Sequence, residues 1–179
     1  VTVFNQRSVD EIFSMLYQVA AMVGEADQAE IRLNQMRDKL NAIQAAAANF
    51  KRRPKIYFEE WDEPRISCIR WVSELITVAG GDDCFPELAH MPMGKDRIIA
   101  HDQSIVDRAP DIIIGSWCGK KFRSEKVSQR PGWENIPAVK NNQLFEIKSA
   151  DILQPGPAAL TDGVAQLHQI VQQWQLKHA

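Results

Sequence analysis

The 179-residue chain contains 45% hydrophobic and 25% charged residues, a composition typical of a globular protein that buries one substantial core. Its formal net charge of −2 lacks the basic excess of a general nucleic-acid-binding protein, so no nucleic acid is expected among its partners. The chain has no apolar run long enough to span a bilayer, and its first residues lack the order of a signal peptide.

The amino-terminal part is predicted to consist of the end of a strand followed by two helices. Residues 1–4 have the composition of a strand end. Ser8 and Glu11 have the spacing of a capping box, which predicts a helix that ends near Gly24. A second helix is predicted from about Asp27, again with a glutamate three residues later, to about residue 49.

The second helix carries one continuous apolar face. Its apolar residues step alternately by three and four positions, which places them on one side of a helix on the order of 35 Å long. They are Leu33, Met36, Leu40, Ile43, Ala47 and Phe50. Such a helix can span a whole domain. Alternatively, the face pairs with another chain, in which case the protein is a structural or dimerisation fragment.

Residues 55–71 combine a predicted strand, a polar loop and the start of a helix. Ile56, Tyr57 and Phe58 predict a central, buried strand that follows Pro54. Residues 59–63 then place four carboxylates around Trp61 at the carboxyl end of that strand, where open α/β sheets bind ligands. The acidic surroundings favour an exposed or ligand-facing tryptophan ring.

The rest of the chain alternates helices and strands. Helices are predicted for residues 71–79, 103–109 and 158–176, and strands for residues 111–117 and 143–147. This order predicts an α/β fold with a mostly parallel, Rossmann-like sheet flanked by helices and preceded by the long helix. We expect two units, residues 1–50 with the helix pair and residues 51–179 with the α/β lobe.

A basic segment follows Trp117. Residues 119–130 contain Lys120, Lys121, Arg123, Lys126 and Arg130. A cluster of this kind on a helix is typical of a solvated face rather than an anion-binding site.

No set of residues predicts a catalytic centre. The four histidines are scattered and lie beside no credible nucleophile, and no glycine-rich loop follows a strand to hold a nucleotide cofactor. His90 and His101 could bind a metal together with Glu59 or Glu60, but no spacing favours such a site. Cys68, Cys84 and Cys118 are too widely spaced for a zinc motif and are predicted to be buried free thiols.

The candidate site is therefore a rim at one edge of the sheet. We expect three segments to contribute, namely Glu60–Trp61–Asp62, Trp117–Cys118–Gly119 and the proline-braced pair Leu153–Gln154. Aromatic faces with a few hydrogen-bonding groups suit a large, flat, partly apolar ligand. This pattern favours binding over catalysis.

Three segments resemble one family. The sequences EEWDEPRISCIRWVSELITVAGG, APDIIIGSWCGK and ADILQPGPAAL are similar to the carboxy-terminal half of the periplasmic cobalamin-binding and ferric-siderophore-binding proteins of ABC importers. The resemblance covers nearly the whole chain. It implies two α/β lobes joined by one long helix, with a corrinoid or a ferric siderophore held between them, and residues 1–4 as the last strand of the first lobe.

The resemblance also implies a periplasmic location and a membrane permease as partner. The permease would bind an exposed acidic residue, for which Glu63, Glu87 and Asp162 are candidates. Two other interpretations remain open. One is a metal-ion- or haem-binding protein of the same transporter class, and the other is an α/β enzyme domain that uses Glu59 or Glu60 as a general base. Because the apolar helix face and the strand end at residues 1–4 lack partners in the sequence, we expect the chain to self-associate.

Overall fold

The computed structural model of the protein describes residues 1–178. The helices are α1 (Val9–Met22), α2 (Ala26–Ala47), α3 (Arg70–Ala79), α4 (Pro86–Ala89), α5 (Gln103–Arg108), α6 (Ser124–Ser128), α7 (Pro137–Lys140), α8 (Ser149–Ile152) and α9 (Val164–His178). The strands are β1 (Lys55–Asp62), β2 (Arg65–Ser67), β3 (Asp82–Asp83), β4 (Ile112–Gly115) and β5 (Leu144–Glu146). A 3-10 turn covers Gly94–Arg97, and a π-helical stretch, Ala159–Gly163, leads into α9.

β1 is central, as the sequence predicts. On one side it pairs in parallel with β4, with Ile56 opposite Ile112, and β4 pairs in parallel with β5. On the other side β3 pairs in parallel with the beginning of β1, and β2 pairs antiparallel with its end. The predicted α/β class with a mostly parallel sheet is therefore confirmed.

Alternate residues of β1 and β4 face two different layers. Ile56 and Ile112 belong to a core cluster that also contains residues of α1, α2, α3 and α9. Tyr57 and Ile113 belong to a second cluster on the opposite face of the sheet, together with Trp117. Successive side chains of a strand point to opposite faces of the sheet, so neighbouring residues of β1 join different layers.

The apolar face of α2 packs on the protein's own core. Leu33, Leu40 and Ala47 are at most 7% exposed, and Met36 and Ile43 pack against the same cluster. The expectation that this face lacks a partner is therefore wrong, because residues of the α/β lobe already cover it. Self-association of the chain stays a prediction. Residues 1–50 and residues 51–178 thus share one core in the described structure.

The amino-terminal expectations are met in part. The capping box is present, because the Ser8 hydroxyl accepts a hydrogen bond from the Glu11 backbone N–H, and the Glu11 carboxylate accepts one from the Ser8 backbone N–H. Residues 1–7 form no strand, because a strand needs a neighbour to pair with and no described strand lies beside them. The second helix begins at Ala26, one residue before the predicted start, and its N-cap residue Glu25 makes no side-chain capping hydrogen bond.

Two further expectations are corrected by the fold. β1 extends through Asp62, so residues 59–62 lie on a strand rather than in a loop, and β2 supplies their backbone partners. The basic segment after Trp117 is mostly irregular, since only Ser124–Ser128 is helical. Cys68 and Cys84 are buried as predicted, but Cys118 is exposed because it lies in this loop.

Candidate functional site

The two tryptophans expected to flank a ligand lie at the same edge of the sheet. Trp61 is near the end of β1, and Trp117 is two residues beyond the end of β4, which runs parallel to β1. Both rings lie under one ammonium group, because Lys120 Nζ is 5.5 Å from the ring centroid of Trp61 and 5.2 Å from that of Trp117. The fold therefore brings Trp61, Lys120 and Trp117 together.

Asp62 holds Lys120 in this position. Lys120 Nζ is 2.6 Å from Asp62 Oδ2 and 2.8 Å from Asp62 Oδ1. The indole N–H of Trp61 donates a hydrogen bond to the Glu63 carbonyl oxygen at 2.8 Å, which fixes the tryptophan at the tip of the β1–β2 hairpin. Trp61, Asp62, Trp117 and Lys120 are called the aromatic rim below. Sequence analysis missed Lys120 as a member, since it was grouped with the basic segment.

Trp117 is packed into the protein and only 4% of it is exposed. The chain turns at Gly119, whose φ is +67°, and Phe122 comes back over the indole with a centroid separation of 5.0 Å. Gly115 makes room for this arrangement, because a Cβ there would overlap the Phe122 ring. Trp117, which the sequence predicts as an aromatic face for the ligand, is therefore mostly covered by the protein itself.

A buried ion pair lies beneath the aromatic rim. The Glu59 side chain is fully buried and accepts two hydrogen bonds from Arg130, at 2.6 and 2.8 Å. It also accepts one from the Tyr57 hydroxyl at 2.9 Å and one from the Trp117 indole N–H at 3.1 Å. Four donors thus satisfy one carboxylate, as a charge in a low-dielectric interior requires.

This ion pair also shifts the acidity of its neighbours. Burial, and then the nearby negative charge of Glu59, raises the pKa of Tyr57 well above its ordinary value. Burial by itself would lower the pKa of Arg130, but the hydrogen bonds to Glu59 raise it overall. Because the Glu59 carboxylate is fully buried and its oxygens are bound by these donors, it is not accessible to a substrate as a general base.

Glu60 forms a second ion pair. Arg97 is 2% exposed and donates to both Glu60 carboxylate oxygens, at 2.7 and 2.8 Å, and to the Ser67 carbonyl oxygen at 3.1 Å. Burial raises the pKa of Glu60 although the charge of Arg97 opposes it. Glu60 is proposed from sequence as a ligand contact, but both of its carboxylate oxygens accept hydrogen bonds from the buried Arg97.

The other sequence-predicted site residues do not all lie beside the aromatic rim. Cys118 and Gly119 are exposed next to the aromatic rim. Leu153 packs against the core cluster on the face of the sheet opposite to Trp117, and Gln154 is exposed. The fold therefore groups Trp61, Asp62 and Trp117 but places Leu153 against a different layer.

The candidate docking acids differ in their surroundings. Glu87 is exposed and paired with Arg108, whereas Glu63 and Asp162 are exposed and form no ion pair with a described residue. In the part of the chain that the structure describes, no three His, Cys, Asp or Glu side chains are grouped to hold a metal ion. None of the described helices is long and apolar enough to cross a membrane.

Comparison with known proteins identifies similar sequences and folds. The family model described as "Periplasmic binding protein" matches residues 1–150. An uncharacterized ABC transporter substrate-binding lipoprotein of Bacillus subtilis, YvrC, is 25% identical over 168 residues, which cover 87% of this chain and 49% of YvrC. The chain therefore spans about half the length of this relative.

Two solved structures share the fold. A protein of Staphylococcus epidermidis, described as a possible iron-binding periplasmic solute-binding protein, superposes with a TM-score of 0.79 at 18% identity. That match covers 96% of this chain and 65% of the other. The periplasmic vitamin B12 binding protein BtuF of Vibrio cholerae superposes with a TM-score of 0.72 at 17% identity, covering 96% of this chain and 64% of BtuF.

Proposed function

Because the chain belongs to the periplasmic binding protein family, we propose that it is part of the solute-binding component of an ABC importer. This component captures a corrinoid or a ferric siderophore between two lobes and delivers it to the membrane permease. The family match confirms the periplasmic location that the resemblance predicts. The family comprises transport binding proteins, and we propose that this chain catalyses no reaction.

The aromatic rim is the observation that supports ligand capture by this lobe. Trp61 is only partly buried, and its ring lies beside Lys120 at the carboxyl edge of a parallel sheet. Ligands of open α/β folds bind at this edge, and an indole provides a large apolar surface with little loss of conformational entropy. A conjugated macrocycle or a metal chelate is a suitable partner for such a surface.

We propose different roles for the residues along this edge. Trp61 contacts the apolar surface of the ligand, and Asp62 with Lys120 supplies charged groups that orient it.

Cys118 and Gly119 lie beside the rim and approach the ligand through their backbone. Trp117 supports the rim from below, since its indole is covered by Phe122. Gln154 is exposed and is assigned an outer ligand contact, whereas Glu60 is bound by Arg97 and Leu153 packs on the core, so neither is assigned a direct contact.

Docking on the permease is proposed to use an exposed carboxylate. Glu63 is adjacent to the aromatic rim at the tip of the β1–β2 hairpin, and Asp162 lies in the π-helical stretch before α9. Both are exposed and form no ion pair with a described residue, so their charge is available to a basic surface on the permease. Glu87 is a weaker candidate because Arg108 already neutralises it.

Native mass spectrometry of the full-length protein from its natural source tests the function. We expect a corrinoid or a ferric siderophore to co-purify, and the same compound to bind the ligand-free protein on titration. Trp61→Ala should weaken that binding by about 1–3 kcal/mol, the loss expected for a large contact side chain. Val78→Ala, a partly buried position on α3, provides a control for general destabilisation. Failure of every corrinoid and ferric siderophore to bind would contradict the proposal.

A further inference from the structure

The loop that follows Trp117 encloses a cleft whose polar lining is entirely cationic. The cleft has a volume of about 250 Å³ and is lined by Trp117, Lys120, Lys121, Arg123 and Lys126. These five residues are called the cationic cleft below. It adjoins the aromatic rim, because Trp117 and Lys120 belong to both.

Three of the cations in the cleft have no acidic partner. Lys120 is paired with Asp62, but Lys121, Arg123 and Lys126 form no ion pair with any residue in the range 1–178. Other arginines of this lobe are paired, including Arg52 with Asp111 and Arg53 with Asp82. Unpaired positive charges in a concave surface attract anions more strongly than the same charges on a flat one.

The positive charge is local rather than a property of the whole chain. The formal net charge is −2, and residues 119–130 contain five cations and one acid, Glu125. At physiological ionic strength charges are screened over about 8 Å, so a ligand responds to this cleft rather than to the distant acidic surface. The sequence predicted that these cations lie on one solvated face of a helix. That prediction is wrong, because only Ser124–Ser128 is helical.

We propose that the cationic cleft binds ionised carboxylates of the ligand, so that the transported molecule is a multiply anionic chelate or macrocycle. This inference rests on the proposed function and narrows its ligand class. Arg123 provides a planar guanidinium that can bind a carboxylate through two hydrogen bonds, and Lys121 and Lys126 add two further charges. The apolar part of the same ligand lies on Trp61 of the aromatic rim.

Ligand pairs in which one member has ionised carboxylates and the other has the corresponding esters or amides test the proposal. Haemin and its dimethyl ester form one pair, and cyanocobalamin and its monocarboxylic acid derivative form another. Each is titrated into full-length wild-type protein and into the double variant Arg123→Gln/Lys126→Gln. The control is Lys95→Gln/Lys140→Gln, which removes two exposed lysines outside the cleft. Circular dichroism checks that all variants are folded.

We expect the acid of at least one pair to bind more tightly than its ester or amide. The cleft variant should weaken binding of that acid roughly 10-fold at low salt, while binding of the ester or amide partner changes less than about 2-fold. The control variant should bind as wild type does. If the ester and amide partners bind at least as tightly as the acids, or if the cleft variant weakens binding of both equally, the proposal is wrong while the transport function stands. If no compound of either pair binds the wild-type protein, the proposal is wrong, whereas the transport function is overturned only if ferric siderophores also fail to bind.

Discussion

Arg130 and Glu59 form a two-point ion pair in which the carboxylate is completely buried and lies directly beneath Trp117. The pair connects the central strand β1 to Arg130, which follows α6 and lies 71 positions later in the chain. The same carboxylate accepts a hydrogen bond from the Trp117 indole N–H, so Glu59 anchors both ends of the segment that carries Lys120.

Arg130→Met should strongly destabilise the protein. The substitution leaves the Glu59 carboxylate buried without its cation, which costs about 3–5 kcal/mol of the free energy of unfolding. Urea denaturation at neutral pH measures this loss. Arg123→Met is the matched control, because Arg123 is exposed on the same loop and its loss should change the free energy of unfolding by less than about 0.5 kcal/mol. Equal effects of the two substitutions would contradict the role assigned to the ion pair.

Trp117→Ala should reduce stability more than Trp61→Ala. Trp117 is 4% exposed and donates a hydrogen bond to Glu59, so its removal creates a cavity and costs about 3–5 kcal/mol. Trp61 is only partly buried, and its removal leaves a smaller cavity. Thermal and urea denaturation of both variants give the comparison. A larger loss for Trp61→Ala would mean that the two indoles have the opposite roles.

Leu40→Ala should destabilise the lobe without changing its association state. Leu40 is 7% exposed on the face of α2 that packs on the core, so the lost contacts cost about 2–5 kcal/mol. Ile31→Ala removes an exposed side chain from the same helix and should be nearly neutral. Sedimentation velocity of both variants and of wild type reports the association state. Dissociation of a wild-type oligomer by Leu40→Ala alone would show that this face binds another chain.

Asp83 should make the stability fall as pH rises. Burial raises the pKa of Asp83 above its ordinary value of 3.8, although a hydrogen bond from the Phe85 backbone N–H opposes this. Because the folded-state pKa exceeds the unfolded one, the stabilising contribution of the protonated form is complete below pH 3.8 and is lost as pH rises through the folded pKa.

Asp83→Asn removes this titration, so the free energy of unfolding of wild type minus that of the variant should decrease with increasing pH. Urea denaturation at several pH values, beginning near the ordinary aspartate pKa, measures this difference. Glu60, whose pKa burial also raises, is present in both proteins and cancels in the subtraction. A difference that is constant or increases with pH would contradict the assigned direction.

Local patterns were sufficient to predict most elements of the fold. The capping box at Ser8 and Glu11, the apolar face of α2 and the runs that became β1 and β4 depend on neighbours within one or two turns or on strand alternation. Periodicity records which side of an element is buried, so these elements and the α/β class followed from the sequence. The family resemblance was also contained in contiguous segments, and the family match over residues 1–150 confirms it.

The sequence could not determine which distant groups meet. Nothing near Glu59 indicates that Arg130 neutralises it, that Arg97 occupies Glu60, or that Phe122 covers Trp117. The sequence predicts a loop at the end of β1, because the pairing with β2 that makes this segment a strand is a tertiary contact. The amino-acid sequence by itself determined the elements and the family, because those depend on short-range patterns. The tertiary structure alone decided which of the acidic and aromatic residues are buried and paired and which remain available to a ligand, because burial and charge pairing depend on contacts between segments far apart in the chain.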